Sequence, residues 1–206
     1  MINPTYDQLK RVYQRKGYAF FQGTYNLNIF GIRSRNRNQT HDAFDDTIGV
    51  AWQSKQISHP PLYFQGTTDP SVMHLTRPKF AAAIKDGTAI LKTGQYRGAY
   101  QLGRHGSGAW QHDALIQVKP VTIYRDANRD AILDTDVKET TGLYGINIHA
   151  ASLWQDLDRI GEYSAGCQVL RRAIDLAKLV DLCRQQIRHI GVNSFTYTLL
   201  DESDFF

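Results

Sequence analysis

The chain has 206 residues, of which 42% are hydrophobic and 21% charged, and its formal net charge is +4. That usage fits one globular domain with a sizeable core and argues against a disordered or membrane-embedded chain. The basic residues are scattered and form no stripe interleaved with stacking aromatics, so no nucleic-acid partner is expected.

Residues Pro4–Lys16 predict a short helix, with Leu9, Val12 and Tyr13 on one face and Gly17 at the left-handed cap position. The amino terminus has no apolar run of the kind a secretory signal requires, and no stretch of 18 apolar residues occurs anywhere. The expectation is a product made in the cytoplasm without a signal peptide and with no membrane span. Strand-like runs follow at Tyr25–Arg33, Thr47–Trp52 and Tyr63–Gln65, the first two separated by the polar loop Ser34–Gln39. Further runs rich in β-branched residues lie at Thr88–Thr93, Ala114–Val118 and Thr122–Tyr124. Gly142–His149 reads as a strand that ends on a histidine.

From Leu170 to Ile190 the apolar period lengthens. Ala173, Leu176, Ala177, Val180, Cys183, Ile187 and Ile190 recur at three- and four-residue steps, predicting an amphipathic helix stopped by Gly191. Phe195, Tyr197 and Leu199 alternate as a closing strand. The generous Tyr, Phe and Trp content suits cross-strand pairing. The predicted fold class is α+β: a β-rich single domain over residues 1–206, of mixed or antiparallel sheet, with an N-terminal helix and one long C-terminal helix.

Of the two cysteines, Cys183 falls at an apolar position of the long helix and reads as a buried thiol. Without paired-cysteine spacing a zinc ribbon or finger is excluded. Cys167 has a different setting. Tyr163-Ser164-Ala165-Gly166 precede it, and small residues let the backbone turn sharply, so that N–H groups beside the thiol can face a carbonyl oxygen. A free thiol is mostly protonated at neutral pH, so a catalytic cysteine needs a base and an electropositive setting. His149, eighteen positions upstream, is the candidate base.

These segments resemble the YkuD-type L,D-transpeptidases of bacterial cell walls. That family carries a strand ending in His-Gly, a loop, then Ser/Thr-His-Gly-Cys-Arg/Asn. Gly145-Ile146-Asn147-Ile148-His149-Ala150 is similar to the first element and Ser164-Ala165-Gly166-Cys167-Gln168 to the second. Thr93-Gly94-Gln95-Tyr96 is similar to a segment that often precedes them. The match spans residues 91–169, and residues 1–85 form a family-divergent N-terminal part. Three positions depart from the pattern: Ala150 and Ala165 replace the motif's glycine and second histidine, and Gln168 follows the cysteine.

The resemblance implies an L,D-transpeptidase-like fold and a peptidoglycan-acting cysteine acyltransferase or hydrolase that needs no cofactor. Cys167 would attack the carbonyl of an L,D-peptide bond in a stem peptide, and His149 would accept the thiol proton, oriented by a backbone carbonyl. The N–H groups of Gly166 and Cys167 would hold the oxyanion, and Ser164 would shape the turn. His105, in the glycine-rich stretch Gly103–Gly108 that reads as a flexible loop, is a candidate for the missing second histidine. With Tyr144 and Gln168 it makes up the expected substrate-binding set. Such a chain would act at the cell wall after lysis or delivery by a secretion or injection apparatus, as in a phage lysis enzyme. The alternative is a catalytically idle cell-wall-binding or particle-structural protein with the same fold, favoured by Ala150 and Ala165. A cytoplasmic cysteine peptidase is a third reading.

Two polar clusters stand apart. Asp126, Asn128, Asp130 and Asp134 are spaced like the start of a calcium loop, but Ala131 and Val137 occupy the usual glycine and glutamate positions, so a polar turn between strands competes with a cation site. His41, Asp42, Asp45 and Asp46 read as a capped polar turn around Phe44, and no metal site is assigned.

Overall fold

The computed structural model describes residues 2–35, 42–55 and 57–206. Helix α1 (Tyr6–Arg15) starts at Thr5, whose side chain accepts from the Gln8 N–H while the Gln8 side chain accepts from the Thr5 N–H. This reciprocal cap satisfies two amides that the first turn leaves without partners. Its apolar face, Leu9, Val12 and Tyr13, is buried, and each such side chain is worth roughly 1.5–3 kcal/mol of transfer energy.

The strands follow as β1 (Asn28–Arg33), β2 (Asp46–Ala51), the short hairpin β3 (Gln53–Ser54) and β4 (Ile57–Ser58), and β5 (Leu62–Thr67). After helices α2 (Val72–Thr76) and α3 (Ala81–Asp86) come β6 (Thr88–Leu91), β7 (Gly94–His105), β8 (His112–Gln117), β9 (Val121–Asp126) and β10 (Glu139–Gly142). Strands β11 (Ile148–Ala150) and β12 (Gln168–Leu170), helix α4 (Ala173–Ile190) and strand β13 (Phe195–Asp201) complete the chain. Eight of the strands close into a barrel in the order β1-β13-β7-β8-β11-β12-β5-β2, and β10-β9-β6 form a separate sheet. The β1–β13 and β11–β12 pairs are parallel, and the other barrel pairs are antiparallel. This is the β-rich domain with N-terminal and C-terminal helices that the periodicities predict.

Strands β1 and β2 are buried on both faces. Ile29, Ile48 and Val50 join the main core with Leu115, Tyr197 and Leu199, whereas Phe30, Ile32 and Ala51 pack with the α1 face. The α4 residues Leu176, Leu179, Val180 and Cys183 belong to the main core, so Cys183 is a buried free thiol.

Three differences from the sequence reading bear on the site. Leu170 ends strand β12 instead of opening the long helix, because residues 168–170 bridge β11 and β5 and are buried throughout. Residues 143–147 lie outside regular structure, and His149 sits in the middle of the three-residue β11. His105 is not on a loop: it closes β7, a twelve-residue strand whose interspersed glycines hide its period. Among the described residues no helix is long and apolar enough to cross a membrane.

Candidate active site

Strands β11 and β12 run parallel, with Ile148 opposite Gln168 and His149 opposite Val169. Cys167 immediately precedes β12, so the register sets it two residues short of the position opposite His149. The seventeen residues between them, 150–166, form the crossover that a parallel pair requires. Both side chains line a cleft of about 520 Å³ whose wall also contains His105, Tyr144, Ala89 and Ile146. The Arg125 guanidinium lies 4.8 Å over the Tyr144 ring on the same wall.

The His149 Nδ1 lies 2.9 Å from the Ala150 carbonyl oxygen. A carbonyl only accepts, so Nδ1 carries the proton and Nε2 keeps a lone pair, the tautomer a general base needs. His105 stacks on this ring with centroids 4.0 Å apart and planes 16° from parallel. His112 lies opposite His105 in the β7–β8 hairpin and 6.2 Å from the His149 centroid. Burial first, then His105, push the His149 imidazole down to about 3, with the Ala150 carbonyl opposing and His112 adding a little. Burial likewise lowers His105, with His112 contributing. Crowded imidazoles away from water cannot all charge, so the stack rests neutral.

Cys167 is partly exposed on the cleft, and its thiol donates to the Gly145 carbonyl at 3.4 Å instead of to His149. Burial raises the thiol to about 11 against an opposing hydrogen bond from the Asn147 backbone. The electropositive setting expected for the cysteine is therefore not formed. The resting pair is a neutral thiol and a neutral imidazole, not an ion pair.

The turn before the cysteine is held from behind. Ser164 is fully buried, with its hydroxyl 2.9 Å from the carbonyl oxygens of both Asp69 and Cys167. The Ser71 N–H donates to the Ser164 carbonyl at 2.9 Å. Gly166 sits at φ +120°, a conformation open to glycine, and its N–H donates to the Ser164 hydroxyl at 3.3 Å. This corrects the expectation that Gly166 faces an oxyanion: its amide is turned back into the loop. Among the described residues nothing accepts from the Cys167 N–H.

Gln168 is corrected too. It is fully buried, and its amide donates to the carbonyls of Thr68 and Gly166, each at 3.3 Å, while its oxygen accepts from the Tyr197 hydroxyl at 2.8 Å. It anchors the turn inside the barrel and does not line the cleft. Arg33 continues this interior, donating to the Thr68 hydroxyl and carbonyl and pairing with Asp69 at 3.0 Å. Asp46 accepts from the Ser34 and Thr68 amides and the Thr68 hydroxyl. Burial, then the neighbouring Asp69 carboxylate, raise Asp46 to about 7.

Asp46 is thus a barrel residue and not part of a solvated turn. Phe44 is buried, Asp42 accepts from the amides of Val72 and Gly161, and His41 lies outside the described residues. The calcium-like loop closes on itself: the Asn128 amide donates to Asp130 at 3.0 Å and to Asp134 at 2.7 Å, and Asp126 accepts from the Asp134 N–H. Among the described residues no three His, Cys, Asp or Glu side chains stand together as a metal site.

Two residues of the site escaped the sequence reading. His112 and Asn147 both serve the histidine stack, and a hairpin turning about Gly108 would have set His112 against His105. No family model matches the chain, and neither a curated protein nor a solved structure is similar to it.

Proposed function

We propose that the protein is a cysteine acyltransferase or hydrolase of L,D-transpeptidase type that acts on peptidoglycan stem peptides. The observation that supports this most is the sharing of one cleft by Cys167 and a His149 whose Nε2 is left as a proton acceptor. In the proposed reaction the Cys167 sulfur bonds to the carbonyl carbon of an L,D bond and the carbonyl π pair moves to oxygen. The thiol proton passes to His149 Nε2. Because thiol and imidazole both rest neutral, the proton moves together with attack and not before it. The C–N bond then breaks, His149 returns the proton to the leaving amine, and a second amine or water resolves the thioester. Tyr144 and Arg125 would receive the substrate along the apolar wall. The chain would reach the wall after lysis or by delivery.

The test is to incubate the protein and its Cys167→Ala variant with muropeptides and follow products by mass spectrometry. Cleavage or exchange at an L,D bond that the variant lacks supports the reading, and an intact mixture with both proteins refutes it. A second reading, an idle wall-binding or particle-structural domain, is favoured by the hydrogen bond of the thiol to Gly145 in place of His149. Equal binding of both proteins to sacculi without turnover would decide for it.

A further inference from the structure

The two stacked imidazoles differ in tautomer, and a third residue sets the difference. The Gln117 backbone N–H lies 2.9 Å from Asn147 Oδ1. An N–H requires an oxygen, so the Asn147 amide is fixed in orientation and its Nδ2 faces His105 Nδ1 at 3.2 Å. An amide nitrogen only donates. His105 Nδ1 must therefore accept, and a neutral His105 carries its proton on Nε2. His149 is the reverse, with the proton on Nδ1 against the Ala150 carbonyl and the lone pair on Nε2. One ring of the stack is a base and its neighbour is a donor, and both line the cleft with Cys167.

The cysteine turn lacks a donor of this kind. The Gly166 N–H is spent on Ser164 and the Asn147 backbone N–H on the thiol itself, which leaves the Cys167 N–H as the unspent amide of the turn. A tetrahedral oxyanion in a water-poor cleft requires preorganised donors, and one alone is a weak cradle. We infer that His105, through Nε2–H, supplies the second hydrogen bond to the substrate's carbonyl oxygen, with Asn147 and Gln117 holding it in the donating tautomer. Protonating His105 would place an N–H on Nδ1 against the Asn147 amide hydrogens, so the same contact keeps the ring neutral. Stacking on His149 fixes its plane. The barrel thereby assembles an oxyanion site from β7 and the cysteine turn, elements far apart in sequence.

The inference rests on the proposed acyl chemistry but not on its substrate, and the test separates the two. Acylation of Cys167 by p-nitrophenyl acetate forms an S–C bond, passes through an oxyanion and expels p-nitrophenolate. Alkylation by iodoacetamide displaces iodide and forms no oxyanion. In His105→Ala, acylation should fall by about 10²–10³-fold, the usual loss for one oxyanion donor. Alkylation should stay within about threefold, which also reports an intact thiol site. His105→Gln, whose amide can reach the ε position, should restore acylation to within about tenfold, and His105→Asn should not. Long-range ¹⁵N–¹H correlation spectra of the unmodified protein should show His105 protonated on Nε2 and His149 on Nδ1. A parallel fall of acylation and alkylation, rescue by Asn in preference to Gln, or a proton on His105 Nδ1 would overturn the inference. So would a wild-type acylation rate no higher than that of a free thiol. Acylation with the predicted His105 dependence but no turnover of muropeptides would refute the peptidoglycan reading alone.

Discussion

The cysteine turn and the Asp126–Asp134 loop look alike in sequence, since each is a short polar stretch with a motif-like spacing. The barrel treats them differently. Residues 164–168 are bonded to Asp69, Ser71, Thr68 and Tyr197, which arrive from two other parts of the chain. The Asn128, Asp130 and Asp134 side chains are bonded to each other or to amides of the same loop. A turn held by distant strands keeps its shape only while the barrel is folded, and it can hold reactive groups in register. A turn held by its own side chains needs no barrel, and losing one bond affects only that turn.

Substitutions should expose this contrast in order of size. Gly166→Ala should be the most damaging: at φ +120° a Cβ would stand 2.5 Å from the Ala89 carbonyl oxygen. Backbone strain and that clash together predict a loss of about 3 kcal/mol or more in denaturant unfolding, with abolished activity. Gln168→Leu keeps the volume but leaves the Gly166 carbonyl and the Tyr197 hydroxyl without their partner, while the Thr68 carbonyl keeps only its bond from Arg33. About 2–4 kcal/mol should be lost. A Gln168→Leu protein as stable as the wild type would mean that the turn is not held from the barrel interior.

The pH dependence of stability gives a finer test of the same interior. Asp46 is raised from 3.8 to about 7, so the folded state holds its proton more tightly than the unfolded chain does. Its contribution is complete below the ordinary carboxylate range and is lost as pH rises through about 7. Denaturant midpoints should therefore show a downward component between these limits that Asp46→Asn removes. Asn also gives up one acceptor, so the slope with pH, not the absolute midpoint, is the readout. An unchanged slope in the variant would place the proton elsewhere.

At the cleft, burial raises the Cys167 thiol to about 11. Alkylation of the resting protein should be slower than for a free cysteine at neutral pH and should climb only as pH approaches that value, with Cys167→Ala as the blank. A rate plateau near neutrality would indicate a preformed thiolate–imidazolium pair. The smallest effect belongs to the self-bonded loop. Asp134→Ala removes one acceptor of the Asn128 amide and should cost under about 1 kcal/mol. Added calcium should leave the thermal midpoint where it was.

Much of the fold was legible because local period reports burial. The α1 face, the α4 stripe with its Gly191 cap and the alternation of β13 all appear where their spacing predicts them. The long β7 and the three-residue β12 were not legible. β7 has glycines where a period would show, and β12 continues the apolar rhythm of the helix that follows it. Of the site, Cys167, His149, His105 and Tyr144 could be picked from the chain and share the cleft. Gln168 could not be judged from its neighbours, because only Tyr197 and Thr68, brought across the barrel, explain why an amide is buried there.

Composition and spacing by themselves thus determined the β-rich class, the helices at each end and the cysteine and histidine worth examining. Barrel closure decided the rest: which amides of the turn face inward, which histidine tautomers are possible, and how hard the thiol is to ionise. Those properties depend on groups far apart in sequence whose hydrogen bonds and exclusion of water exist only once the strands have paired.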